Sequence, residues 1–301
     1  MIRAERVTKK FGNFRAVSNL SCEIPKGCIY GLIGANGAGK STFLRLVTGV
    51  YQADEGQVLL DGERVYENPA AKGRMAYVPD ELYFMQSASM NRMAALYQSV
   101  YPDFDRARYK ELTALFRLDP KASTNTFSKG MKRQAATIFA LCSKPECIFF
   151  DETFDGLDPI VRNLVKNLIT EHVVENGTTA IITSHSLREL EDTCDQLALL
   201  YKGGIVFESD VQDLKTTLFK VQVAFSEDYG VEHFGGLSLM DYSQRGSVAS
   251  FIVRGDREEA RAFLQEKAPI LLDILPLSLE EVFIHEMQAI GYAFNNILGE
   301  E

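Results

Sequence analysis

Residues Gly34-Ala35-Asn36-Gly37-Ala38-Gly39-Lys40-Ser41-Thr42 follow the pattern G-x-x-x-x-G-K-[ST]. A chain that carries it must end a strand in a tight loop and reopen as a helix. The glycines let backbone N–H groups turn inward and cradle phosphate oxygens. Lys40 supplies a cation for the β- and γ-phosphates, and Ser41 a hydroxyl for Mg2+. Asn36, Ala38 and Thr42 complete the loop. The helix that follows points its positive end at the anion. The flanks agree: residues 28–33 form an apolar run of buried-strand type, and residues 43–47 read as helix, with Gly49 suited to its C-terminus. The motif implies a bound nucleoside triphosphate.

With 301 residues, the length suggests about two domains. The net charge of -9 and pI near 5.1 argue against a nucleic-acid partner, which favours a basic face. No apolar run reaches membrane-spanning length. The first ten residues carry Arg3, Glu5, Arg6, Lys9 and Lys10, unlike a signal peptide. The expectation is a soluble, cytosolic protein whose membrane role, if it has one, comes through a partner. Cys22, Cys28, Cys142, Cys147 and Cys194 form no C-x-x-C pair and read as reduced core residues.

Hydrophobic spacing places strands at residues 2–7, 20–24, 29–33, 57–60 and 75–78. Helical spacing then takes over, from Met90 to Tyr101 and from Arg106 to Leu118, with Asp105 as N-cap. The α/β pattern resumes with a strand at 147–150 and a helix opened by Asp158-Pro159 and closed by Asn176-Gly177. A strand at 179–183 follows, then a capping box from Ser186 to Glu189 and strands at 197–200 and 205–207. Near residue 210 the character changes. Residues 219–225 alternate strictly, 226–246 are polar and Gly-rich with a loop in them, 250–253 read as strand and 257–267 as helix. A capping box at Ser278 to Glu281 opens a last helix running to about Ile290. This portion reads as a small α+β unit, ferredoxin-like in outline.

Four apolar residues, Cys147 to Phe150, deliver Asp151 and Glu152 to a strand end, where open α/β sheets bind ligands. Asp151 suits Mg2+ and Glu152 suits polarisation of an attacking water. Ser128 caps a helix expected over 129–141, and Gly130 leaves room for close backbone approach, so this helix start reads as a second anion site. His185 follows an apolar strand and lies at the same sheet edge as Asp151. His172, His233 and His285 lack such a setting and read as structural.

Together these motifs resemble the ATP-binding subunit of an ABC transporter over residues 1 to about 210. Gly34 to Thr42 resembles that family's Walker A, and Ile148 to Glu152 its Walker B with the catalytic glutamate. Asp155-Gly156-Leu157-Asp158 resembles the D-loop and His185 the switch histidine that touches the γ-phosphate. Phe11 resembles the aromatic residue that stacks on adenine. The implied fold class is α/β, a P-loop NTPase core with an ABC-type helical subdomain at about 86–142 and a small C-terminal α+β appendage at 211–301. Three departures stand out. The signature, usually Leu-Ser-Gly-Gly-Gln, reads Phe127-Ser128-Lys129-Gly130-Met131, keeping Ser128 and Gly130, and it resembles a variant among bacterial exporters with separate membrane subunits. Asp80 stands where the family usually has Gln; it can ligate Mg2+ or its water but cannot donate when ionised. Thr153 replaces the usual Pro.

The resemblance implies cofactors ATP and Mg2+, with Ser41, Asp151 and Asp80 at the metal. Glu152 would orient water, and His185 and Lys40 would stabilise the γ-phosphoryl charge. It implies a homodimer or heterodimer with a second ATPase subunit, each ATP lying between the P-loop of one and Ser128 of the other. An integral membrane permease subunit, with this chain at the inner face of the cell membrane, completes the expectation; export is favoured. Leu82-Tyr83-Phe84-Met85, with Met90, Met93, Tyr97 and Tyr101, reads either as core of the helical subdomain or as a groove for a cytoplasmic helix of that subunit. The alternatives are a soluble ABC-type ATPase with a non-transport role and a regulatory module without turnover.

Overall fold

A computed structural model describes residues 1–289. Strand β1 (Ile2–Phe11) folds back through Gly12-Asn13 onto antiparallel β2 (Phe14–Ile24), with Phe11 opposite Phe14. Both exceed the expected strands. Their outer halves carry Lys9, Lys10 and Arg15, so the apolar pattern breaks before the hydrogen bonding does. Strand β3 (Ile29–Ile33) is wholly buried and feeds the phosphate loop and helix α1 (Lys40–Val47). Strand β4 (Glu55–Leu60) pairs with β1 and, across the turn Asp61-Gly62, with β5 (Glu63–Arg64). These strands form an antiparallel sheet ordered β2-β1-β4-β5.

Helix α2 (Pro69–Gly73) leads to β6 (Met75–Val78) and then to a helical insert. Its helices are α3 (Met90–Val100), α4 (Arg106–Leu115) and α5 (Lys129–Cys142). Ser89, Asp105 and Ser128 cap them by accepting first-turn N–H groups. Phe139 of α5 stacks on Tyr97 at 4.9 Å and on Tyr109 at 6.2 Å. Phe84, Met90 and Met93 are buried, whereas Tyr83 and Met85 are exposed. The Met- and aromatic-rich segment therefore divides between core and surface. Helix α4 stops at Leu115 rather than Leu118. Arg117 adopts φ 54, its N–H donating to Ala114 O while Leu118 N–H donates to Thr113 O. This closure usually announces itself with glycine; here Arg117 conceals it.

Strand β7 (Cys147–Asp151) is followed by α6 (Pro159–Asn176), capped by Asp158 and closed by left-handed Gly177. Then come β8 (Thr179–Ser184), α7 (Leu187–Leu190), β9 (Gln196–Tyr201) and β10 (Gly204–Asp210). The second sheet runs β10-β9-β3-β8-β7-β6. Strand β3 pairs parallel with β8 and β9, and β7 with β6 and β8. Strands β3, β7 and β8 have every residue buried, as parallel strands covered on both faces should. Ile33 pairs with Ser184, Asp151 with Thr183 and Val78 with Phe150, so four strands end along one edge. The capping box expected at Ser186 does not form. Ser184, buried at the strand end, takes both partners: its hydroxyl donates to Glu189 Oε2 at 2.6 Å and accepts from Ser186 N–H at 3.0 Å.

The chain divides into two compact units, Met1–Glu208 and one beginning at Ser209. The second holds α8 (Val211–Thr217), β11 (Leu218–Ala224), β12 (Ser238–Arg245) and β13 (Val248–Arg254). It continues with α9 (Arg257–Gln265), β14 (Leu271–Pro276) and α10 (Leu279–Ala289). Its antiparallel sheet runs β12-β13-β11-β14, the ferredoxin-like order, with the first crossover reduced to the short turn Val231–Phe234. Phe219, Val221 and Val223 alternate into a core with Phe234, Phe251 and Leu264. The Ser278 capping box forms, with the Glu281 N–H donating to Ser278 Oγ at 3.3 Å and the Ser278 N–H donating to Glu281 Oε2 at 2.9 Å. The expected end of its helix, Ile290, lies outside the described residues. Strand β12 falls in the polar, Gly-rich stretch, where no strand is expected, and β14 carries no sequence expectation. Both are sheet edges, where weak burial blurs the alternation.

In the first unit, His172 on α6 carries a test of the packing around it. Burial first, then the charges of Arg108 and Lys144, push its imidazole down to about 4. An unfolded imidazole titrates near ~6.5. Between those values the unfolded chain binds more protons, so stability present at neutral pH is lost as pH falls through the window. Urea titrations from pH 7 to 4 should register this loss, and His172→Gln should remove up to about 3 kcal/mol of it.

Candidate functional site

Asp151 ends an apolar strand and has no exposed surface. A buried carboxylate needs donors, and three hydroxyls supply them. Thr183 Oγ1 donates to Oδ1 at 2.8 Å, Ser41 Oγ to Oδ1 at 3.1 Å and Tyr77 OH to Oδ2 at 3.1 Å. Burial first, then the Asp151 charge, push the Tyr77 phenol well above its ordinary range, so it stays protonated and donates. Thr183 works twice, because its Oγ1 also accepts the Glu152 N–H at 3.0 Å.

Glu152 adopts φ 47, left-handed backbone that costs a side-chain-bearing residue about 1–2 kcal/mol. The turn holds its carboxylate between two cationic or donor groups. Lys40 Nζ lies 3.0 Å from Oε1 and His185 Nδ1 lies 3.0 Å from Oε2. The Lys40 contact is an ion pair rather than an aligned hydrogen bond, since Oε1 accepts none. Lys40 is nearly buried and also donates to Gly34 O at 2.6 Å and Ala35 O at 3.3 Å. His185 is half exposed. Lys40, Ser41, Asp151, Glu152 and His185 thus meet in one contact network.

The phosphate loop itself has Asn36 and Gly37 exposed and Ala38 buried, with Thr42 partly buried on α1. Its glycines answer to more than a ligand. A Cβ on Gly34 would meet Leu200 O at 2.5 Å, and one on Gly39, at φ 110, would meet Ala16 O at 2.4 Å. Gly37 has open space but φ 82. The loop is shaped by its own chain first. Gly34 N–H is taken by Ser184 O at 3.3 Å, the loop runs into the start of α1, where a helix end favours anions, and the hydroxyl–carboxylate pair of Ser41 and Asp151 offers hard oxygen ligands suited to Mg2+.

Other expected residues lie elsewhere. Ser128 caps α5 through the Met131 N–H at 3.2 Å. Gly130 faces not open space but Gly156 O, which a Cβ at this position would meet at 3.3 Å. Lys129 Nζ binds Asp155 Oδ2 at 2.7 Å, and that contact first of all holds the Asp155 carboxyl below its usual range. Asp80 is not among the groups around Asp151: its Oδ1 accepts from Arg133 Nη2 at 2.6 Å, because a wholly buried guanidinium claims it. Phe11 lies at the hairpin end, partly exposed, with its ring edge-on to Tyr51 at 5.5 Å. Sequence reasoning missed Tyr77, Thr183, Arg133 and Tyr51. The available signal for the first two was a hydroxyl side chain inside an otherwise apolar buried strand.

A strand–loop–helix phosphate site, a carboxylate pair at the end of a second strand and a histidine after a third define an ATPase of the cassette type. A family model described as ABC transporter matches residues 17–155. The ABC transporter ATP-binding protein YtrB of Bacillus subtilis is 30% identical over 285 residues, 94% of this chain and 97% of its own length. Nod factor export ATP-binding protein I of Mesorhizobium japonicum is 32% identical over 292 residues, 92% and 84% of the two chains. The structure of an ATP-binding subunit of an ABC transporter shares the fold, with a TM-score of 0.66 at 22% identity over 71% of this chain and 92% of that one. A dimeric cassette bound to ADP and Pi gives 0.64 at 20% identity, covering 70% and 99%. The chain belongs to the ABC transporter ATP-binding proteins. It binds and hydrolyses ATP as a transporter subunit, and subunits of this family work as dimers with membrane subunits. Neither relative favours a non-transport role. No helix among the described residues is long and apolar enough to cross a membrane.

The hydroxyl cage around Asp151 predicts a ranking. Thr183→Val removes, at a wholly buried side chain, the bonds to Asp151 and to the Glu152 N–H and should cost about 1–3 kcal/mol in urea unfolding, whereas Tyr77→Phe removes the bond to Asp151 and the Arg45 contact at a more accessible site and should cost about 1 kcal/mol. The reverse order would contradict the double role of Thr183.

Proposed function

We propose that this chain powers export through a separate membrane subunit, using Glu152 to orient the water that attacks ATP. The observation that carries it is the Glu152 carboxylate held 3.0 Å from Lys40 Nζ and 3.0 Å from His185 Nδ1. Residues 1–210 form the ATPase domain, with a helical subdomain at about 86–142, and residues 211–301 a separate small domain. The phosphate loop, Gly34 to Thr42, takes the β- and γ-phosphates on its N–H groups, and Phe11 stacks on adenine. When bound, Mg2+ would neutralise phosphate charge, with Ser41 and Asp151 to hold it.

Glu152 accepts hydrogen bonding from the attacking water and so aligns it. Lys40 and His185 turn from Glu152 to the charge that spreads over the γ-phosphoryl oxygens. Ser128 and Gly130 complete the site of a second ATPase subunit, identical or paralogous, in a head-to-tail dimer. The subunit sits on the inner membrane face against an integral permease, with Tyr83 and Met85 exposed for contact. Export is supported by relatives such as Nod factor export ATP-binding protein I.

Glu152→Gln keeps the size and loses the charge. It should retain ATP binding, slow turnover by about 10²-fold or more, and form a dimer only when ATP is added. Turnover near that of the parent protein would sink the role given to Glu152.

A further inference from the structure

The two unusual features of this site, Asp80 after β6 and a cation-rich start to α5, are in contact with each other. Arg133 has no exposed surface. Its Nη2 donates to Asp80 Oδ1 at 2.6 Å and lies 3.8 Å from Asp155 Oδ2. Lys129 Nζ holds the same Asp155 oxygen at 2.7 Å. Arg133 Nε and Nη1 are buried with no hydrogen-bond partner. A buried guanidinium so short of partners depends on its counter-ion: removing one member of a buried pair costs far more than the pair contributes. Asp80, at 49% exposed, is solvated and has no equal need. The cation therefore holds the loop, rather than the loop holding the cation.

We propose that Arg133 is a positioning residue that links three parts of the site. Through Asp80 it fixes the segment after β6 to the first turns of α5. Through Asp155, shared with Lys129, it fixes both to the turn after β7. Asp80 acts as the counter-ion of Arg133 and not as a ligand of Mg2+. An ionic clasp stands where the family's glutamine is neutral. The functional part rests on the proposed role of Ser128 at a second chain's ATP, because the clasp sets the orientation of the helix that Ser128 caps.

The test uses the full chain and Mg·ATP. Asp80→Asn should lower kcat about tenfold while KM for ATP stays within about twofold, since the phosphate loop is untouched. The Mg2+ concentration giving half-maximal rate should not move. The double variant Asp80→Asn/Arg133→Gln should lose little more kcat than Asp80→Asn alone, a strongly non-additive result. A raised Mg2+ requirement in Asp80→Asn, or additive losses in the double variant, would overturn the proposal. Thermal unfolding covers the case in which Asp80→Asn folds poorly. Asp80→Asn/Arg133→Met, which removes the stranded cation, should melt above Asp80→Asn alone; an equal or lower midpoint would also overturn it. Absence of ATPase activity in the parent protein would count against the functional reading and leave the melting comparison intact.

Discussion

A carboxylate with no solvent contact must be met by donors, and at Asp151 they come from three directions: the start of α1, strand β6 and strand β8. Those three pieces of chain are far apart in sequence, yet the parallel sheet brings them to one edge. The buried charge penalises any arrangement in which a hydroxyl is missing. It therefore fixes the strand ends relative to one another and, with them, the loops that carry Lys40 and His185. Glu152 inherits its place from this anchor, since the Thr183 hydroxyl that donates to Asp151 also receives the Glu152 N–H. The turn there is left-handed, and the hydrogen bonds around Asp151 offset the strain.

The second charged cluster is organised on the opposite principle. Around Asp151 neutral hydroxyls meet a buried anion on both its oxygens. Around Arg133 a buried cation is satisfied only in part, by carboxylates that lie beyond the strand ends rather than within the strands. A fully met group rigidifies its surroundings, whereas an under-met one ties neighbouring segments together and is sensitive to any shift between them. One cluster fixes a chemical centre, and the other ties the segments after β6 and β7 to the start of α5.

Much of this is legible in the sequence wherever a residue type is forced by geometry. The phosphate loop, the Asp158-Pro159 helix start, the Gly177 stop and the buried strands 29–33 and 75–78 match the structure because backbone rules fix them locally. Asp151, Glu152 and His185 stand out because each follows an apolar strand. Tyr77 and Thr183 do not, because a hydroxyl in a strand looks the same whether it faces a carboxylate or fills space. Arg133 is hidden for a similar reason: a charged residue on a helix reads as solvated, and only tertiary packing buries it. Arg117 closes α4 without the glycine that would have marked the end. Strands β12 and β14 are lost at sheet edges, where one-sided burial leaves little periodicity.

The main-chain oxygens of Ala16 and Leu200 press on the phosphate loop, leaving no room for a Cβ at Gly39 or Gly34. One belongs to β2 and the other to β9, so the loop is gripped by both sheets before any ligand arrives. A loop gripped in this way has little conformational entropy left to lose when an anion enters. Its affinity for phosphate then depends on how well two distant strands keep their spacing, and changes in the sheets should reach the nucleotide without touching a single residue that binds it.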